Sequence, residues 1–294
     1  MKSILGIDAA WTPHHASGVA LIRQSIDGKW ESVATEDCYL AFVRRAGCTL
    51  TGSDGSVSAS DLLEAARCLG CSDITLVVAD IPLSRETISG RRCSDNCVSE
   101  AFGGRGCSTH TPSTTRPGPV SEQLRDGFEK CGYKLATADS DGLPRKALVE
   151  TYPHPALLSL MDANYRIPYK IDKARKYYPE ITPELRRTKI LHKLREIYLV
   201  LSAPITGIAI DFPAKSPNRA ILKSIEDRID ALVCAWVGIQ ALAGKALPMG
   251  DHESAIWLPS DWCALFSARA RASEEYMHGV EDLPVQERAF WTGA

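Results

Sequence analysis

The sequence predicts an α/β fold, a mixed sheet with helices packed against it. Three observations carry the prediction. Ile4-Leu5-Gly6-Ile7-Asp8 and Gly18-Val19-Ala20-Leu21-Ile22 are apolar runs separated by a turn, which reads as strand, turn, strand. Ile74-Thr75-Leu76-Val77-Val78-Ala79 is nearly all apolar, as expected of a strand covered on both faces. Late in the chain, Ile225, Ile229, Leu232 and Trp236 recur at spacings of four, three and four, the stripe of an amphipathic helix.

Taken in order, residues 3–9, 17–25 and 30–37 read as three consecutive strands, the last two joined through Asp27-Gly28, a strong hairpin signal. Residues 48–60 are rich in Gly, Ser and Thr and read as a loop. Ser60 is placed to cap a helix over 61–69, where Leu62, Leu63, Ala66 and Leu69 share a face. The strand at 74–79 ends in Asp80-Ile81-Pro82, and the proline stops further pairing. Residues 84–120 read as irregular apart from a short helix near 94–102, with 103–119 as a mobile or functional loop. A helix follows at 120–131 with Ser121 as its cap, then a strand at 146–153 with Glu150 near its end, and a short helix at 155–161. The long helix runs from about 219 to 243 and stops at Gly244. A final strand at 254–258 precedes a charged tail, 266–294.

The 294 residues, 45% hydrophobic and 24% charged, make up one large domain or two modest ones, with the composition of a soluble globular protein. The net charge of -2 leaves the class of partner open. No apolar run reaches the length of a membrane helix, and Asp8 interrupts the early apolar run that a signal peptide needs. The expected location is therefore cytoplasmic, with the ten cysteines as free thiols. Cys93, Cys97, Cys107 and His110 are ligand types for zinc. However, Cys93 and Cys97 lack a second close pair, and the surroundings of Cys107 are rich in Gly and Arg, which disfavours such a site.

Residues 165–195 differ in composition. Ten Lys or Arg face three acids, a net of about seven positive charges, with Tyr165, Tyr169, Tyr177 and Tyr178 interleaved. This pattern suits a nucleic-acid surface whose tyrosines stack on bases, and it equally suits a solvated helical face.

The acids near strand ends carry the chemistry. A carboxylate at the end of a core strand wants a partner, because burying it unpaired costs several kcal/mol by order of magnitude. For Asp8 that partner is either a metal cation or a local backbone bond that caps the turn. Asp80 and Glu150 repeat the placement. On the late helix Asp230 lies on the flank of the apolar stripe, whereas Asp227 lies opposite it. In open α/β sheets ligands gather beyond the carboxyl ends of the strands. Crowded carboxylates repel unless a cation neutralises them, and all-oxygen ligands favour magnesium or manganese. Two such ions activate a water and stabilise the leaving oxygen of a phosphodiester. No Walker-type phosphate loop and no GxSxG elbow is present.

The segments GIDAAW…GVALI, VVADIPL, RRCSDNCVSEAFGGRGCSTHTPS, VETYPHPAL, YKIDKARKYYP and DRIDALVCAW occur in this order. Together they resemble the uncharacterised-domain (DUF429-type) family of predicted RNase-H-like nucleases over residues 3 to 260 or so. The resemblance implies an RNase H-like fold, a mixed five-stranded sheet with helices on both faces. It also implies an acidic metal site carried onto Asp8, Asp80, Glu150 and Asp230. The family often has a His just before its helix Asp, where this chain has Glu226 before Asp227.

The expectations are therefore these. Residues 1–265 form one RNase H-like domain with insertions near 84–145 and 162–205. Asp8, Asp80, Glu150 and Asp230 act in catalysis and, with Asp227, bind magnesium or manganese. Lys170, Lys173, Arg175 and Lys176 contact DNA or RNA. Two other classes compete. An actin- or sugar-kinase-like phosphotransferase needs a second, Gly-rich phosphate loop, which neither Asp80-Ile-Pro-Leu nor the stretch after Gly207 supplies. A non-catalytic nucleic-acid-binding module on the same fold is favoured if the acids lie far apart.

Overall fold

A computed structural model describes residues 1–12, 15–50, 56–140, 142–214 and 217–261. The strands are β1 (Ser3–Asp8), β2 (Gly18–Gln24), β3 (Trp30–Glu36), β4 (Leu76–Ala79), β5 (Lys134–Leu135), β6 (Ala147–Glu150), β7 (Ile205–Thr206), β8 (Ala246–Gly250) and β9 (Ala255–Pro259). The helices are α1 (Tyr39–Arg45), α2 (Ala59–Cys68), α3 (Cys93–Phe102), α4 (Pro119–Lys130), α5 (Pro153–Leu160), α6 (Ala174–Tyr177), α7 (Pro183–Leu201) and α8 (Arg219–Leu242).

Among the described residues nine strands join one mixed sheet in the order β7-β3-β2-β1-β4-β6-β9-β8, where β5 pairs with the start of β6. β1, β2 and β3 are antiparallel neighbours, while β4 and β6 run parallel to β1. The expected five strands are thus too few. β5 and β7 have two residues each, too few to show any alternation in the sequence.

Side chains alternate across the sheet, and the two faces build two cores. Ile4, Ala20, Ile22, Leu76, Val78 and Val149 pack with α5, α7 and α8. Leu5, Ile7, Val19, Leu21, Val77, Ala79 and Leu148 pack with α1, α2 and α4. This explains why 74–79 is apolar on both faces.

Helix starts deviate from expectation for local reasons. In α2, Ser58 is the cap: its hydroxyl accepts from the Asp61 N–H while Asp61 bonds back to the Ser58 N–H, a reciprocal pair that Ser60 does not make. α4 starts at Pro119, so Ser121 falls inside the first turn, where its hydroxyl donates to the Gly118 carbonyl. α1 was not expected; its cap is the Cys38 thiol, a weak acceptor that gives no sequence signal. The charged tail expected over 266–294 lies outside the described residues. Among those described, no helix is long and apolar enough to cross a membrane.

Two glycines set the depth of α8. A Cβ on Gly6 of β1 would overlap the Ala231 carbonyl oxygen, and one on Gly18 of β2 would overlap that of Asp227. With hydrogen at both positions, α8 presses directly onto β1 and β2 beside the end of β1.

Candidate functional site

Asp8 and Asp80 stand level at the carboxyl ends of adjacent parallel strands. Ile7 pairs with Ala79, and the Asp80 N–H donates to the Ile7 carbonyl at 2.8 Å. Both acids continue the residue series that faces α8: Ile4, Gly6, Asp8 on β1 and Leu76, Val78, Asp80 after β4. Both are half-buried, and among the described residues neither is ion-paired. Burial and the Asp8 charge push the Asp80 carboxyl well above its usual range, against the opposing pull of Lys170.

α8 adds further acids to this edge. Asp230 is fully buried and accepts from the Tyr169 hydroxyl at 2.6 Å and from the Lys170 ammonium. Burial raises its carboxyl while Lys170 pulls it down. The Lys170 ammonium also lies 3.4 Å from a Glu226 oxygen, and Glu226 accepts from the Ile171 N–H at 2.7 Å. Burial works against the Lys170 charge, but Asp230, Tyr169 and Glu226 together hold the ammonium well above its ordinary value. Glu226 is not among the site residues expected from the sequence. Its signal is the spacing of four from Asp230, which places both on one side of a helix.

Asp227 corrects the expectation that it lies away from the core. It is buried, because α8 is covered by the sheet and also by α7 and α5. It pairs with the Lys223 ammonium, and desolvation together with the Asp8 charge raises it to about 8. The thiol of Cys234, one turn on from Asp230, is pushed up by burial and by the charges of Asp80, Asp8 and Asp230.

Glu150 does not join them. Ala79, not Asp80, is its level partner on β4, and the pleat therefore turns it to the opposite face. There it is buried, accepting two bonds from the Arg92 guanidinium, at 2.5 and 2.7 Å, and one from the Leu83 N–H at 2.7 Å. Arg92 also bonds both oxygens of Asp95, in the first turn of α3. Burial pushes Glu150 up to about 7 despite the Arg92 charge. Its oxygens are taken up by Arg92 and the Leu83 N–H, while its charge still adds to the rise of the Asp80 carboxyl.

The basic segment divides in the same way. Lys170 is committed to Asp230 and Glu226, whereas Lys173, Arg175 and Lys176 are exposed on the turn at 171–173 and on α6. Tyr169 is buried and unable to stack on a base, while Tyr165 is exposed. The rest of the segment is α7, which buries Ile190, Leu191, Leu194, Ile197 and Leu201 and turns its charges to solvent.

Among the described residues, no three His, Cys, Asp or Glu side chains converge as a ready-made metal cage. The thiols of Cys93 and Cys97 lie 3.9 Å apart, and Cys107 is buried. Magnesium does not require a cage. It keeps waters and is held by one or two carboxylates plus substrate phosphates; Asp8 and Asp80 are carboxylates of this edge without an ion pair among the described residues. A cavity of about 420 Å³ lined by Arg85, Glu129, Tyr133 and Lys134 sits by the start of β6, at the other end of the strands.

A family model matches residues 6–255. The chain belongs to the family described as "Protein of unknown function (DUF429)". Comparison with curated proteins and with solved structures returned no match.

Proposed function

We propose that this DUF429 protein is a metal-dependent hydrolase of nucleic-acid phosphodiester bonds. Its core would be RNase H-like: the five central strands β3-β2-β1-β4-β6 with helices on both faces, the segments 84–145 and 162–205 being insertions. The observation that carries the reading is the level pair of Asp8 and Asp80, free of ion pairs among the described residues and facing buried Asp230 and Lys170.

Asp8 and Asp80 would hold one magnesium or manganese ion. Such an ion lowers the pKa of a bound water and draws charge from a phosphoryl oxygen. Asp230, Tyr169 and Glu226 fix the Lys170 ammonium beside this edge, and Lys170 in turn stands where a second cation would otherwise balance Asp230. The two-ion expectation thus narrows to one ion and one lysine. Asp227 is neutralised by Lys223 and borders the site without entering it.

A panel of single-stranded, duplex, hybrid and junction substrates, each with magnesium or manganese, tests this. Cleavage abolished by Asp8→Asn and by Asp80→Asn supports the reading. No cleavage of any substrate, or full activity in Asp80→Asn, overturns it. The second reading is a non-catalytic nucleic-acid-binding module. It is favoured by the lysines that already neutralise the acids of α8, and binding without cleavage would select it.

A further inference from the structure

Next to Asp8 and Asp80 lies a group of cationic and aromatic side chains of which only Lys173 is among the expected nucleic-acid contacts. The segment 103–118 is tied to residues that leave the sheet at this edge. The hydroxyl of Tyr152, two residues beyond β6, donates to the Ser108 carbonyl at 3.2 Å. Arg166 donates to the Gly106 carbonyl at 3.2 Å, and its own N–H donates to the Arg105 carbonyl at 2.9 Å. Trp11, three residues after Asp8, meets the His110 ring edge-on at 6.3 Å between centroids. The Arg116 guanidinium sits 5.8 Å from the centre of the same indole.

His110, Arg116 and Lys173 are exposed, and among the described residues none of Arg116, Arg166 and Lys173 forms a salt bridge. Desolvation, then the charges of Lys173, Arg166 and Arg116, hold the His110 imidazole below its ordinary value. In a chain of net charge -2, a group of cations without anionic partners beside a carboxylate pair calls for a ligand that brings negative charge. Trp11 is half-exposed and Tyr165 is 65% exposed, which adds flat apolar faces to the same rim. Phosphates joined to unstacked bases satisfy both features. A duplex satisfies only the first, because its bases are already stacked on one another.

We propose that Trp11, His110 and Arg116 form a stacking and phosphate-binding subsite for an unpaired nucleotide strand, extended by Lys173. The subsite deepens the hydrolase reading and rests on it for the class of polymer. It assigns the substrate as single-stranded nucleic acid, threaded past Asp8 and Asp80.

The test is equilibrium binding, read by fluorescence anisotropy in chelator so that nothing is cleaved. The probes are labelled oligo-dT and oligo-U strands of about ten nucleotides, and a duplex of the same length. The single strands should bind more tightly than the duplex, the two strands showing whether DNA or RNA is preferred. Trp11→Ala should weaken strand binding about tenfold, the weight of one lost stack, while Trp11→Phe retains most of it. Arg116→Gln and Lys173→Gln, both at exposed positions, should each flatten the slope of log affinity against log salt by about 0.7. Equal affinity for strand and duplex, or no effect of Trp11→Ala in a folded variant, overturns the subsite. Binding of this pattern without cleavage once magnesium is added upholds the subsite and overturns the hydrolase reading.

Discussion

Arg92 is the residue whose loss separates the two roles of the strand-end acids. It bridges Glu150 and Asp95, and all three side chains are at most 7% exposed. Arg92→Met keeps the bulk of the stem and removes the only charge balancing these carboxylates among the described residues. Breaking a buried pair by removing one partner costs about 3–5 kcal/mol. For a chain of this size that is a fall in melting temperature on the order of 10 °C. The loss should depend on pH. Glu150 sits at about 7 with Arg92 in place, above the ordinary 4.5, and losing Arg92 raises it further. A carboxyl raised by folding contributes its full stability below its unfolded value and loses it as pH rises through the folded one. The penalty of Arg92→Met is therefore larger near pH 8 than near pH 5. Urea unfolding at both pH values, in chelator, measures it. A change below about 1 kcal/mol, or an equal change at both pH values, would show that Arg92 does not hold Glu150. Glu150 would then be free to serve the Asp8 edge after all.

Two further outcomes follow from the packing and the charges. Gly6→Ala should cost at least about 2 kcal/mol in urea unfolding, since the added Cβ meets the backbone of α8, which a rotamer change cannot relieve; an unchanged midpoint would refute the close approach. His154 is buried, accepts from Arg166, and is held well below its usual value by burial and by the Arg166 and Lys170 charges. Its ring should stay neutral in NMR spectra from about pH 8 to pH 6, and stability should fall below about pH 6.5, where only the unfolded chain takes up this proton. A ring signal titrating near 6.5 would contradict the placement.

Much of the site was legible because strand ends are. Asp8 and Asp80 close apolar runs of definite length, and runs of that kind become parallel neighbours with their ends together. Glu150 closes an equally good run, but its face depends on which residue of β4 it stands beside. A shift of one residue reverses the face, and register between strands some seventy residues apart leaves no mark in a single sequence. Asp227 was misplaced for a similar reason. A helical wheel records one stripe, whereas α8 is covered on several sides by elements whose packing depends on Gly6 and Gly18. In the sequence Lys170 falls in a run of surface charge, because its partner, Asp230, lies sixty residues away. The short strands β5 and β7 leave no pattern in the sequence because two residues have no period.

The most direct test of the central claim is to count bound manganese by electron paramagnetic resonance during a titration of the metal-free protein. The wild type should bind one ion per chain, Asp8→Asn and Asp80→Asn none at the same concentrations, and Glu150→Gln one ion still. Binding unchanged in Asp80→Asn, or lost in Glu150→Gln but kept in Asp80→Asn, would contradict it.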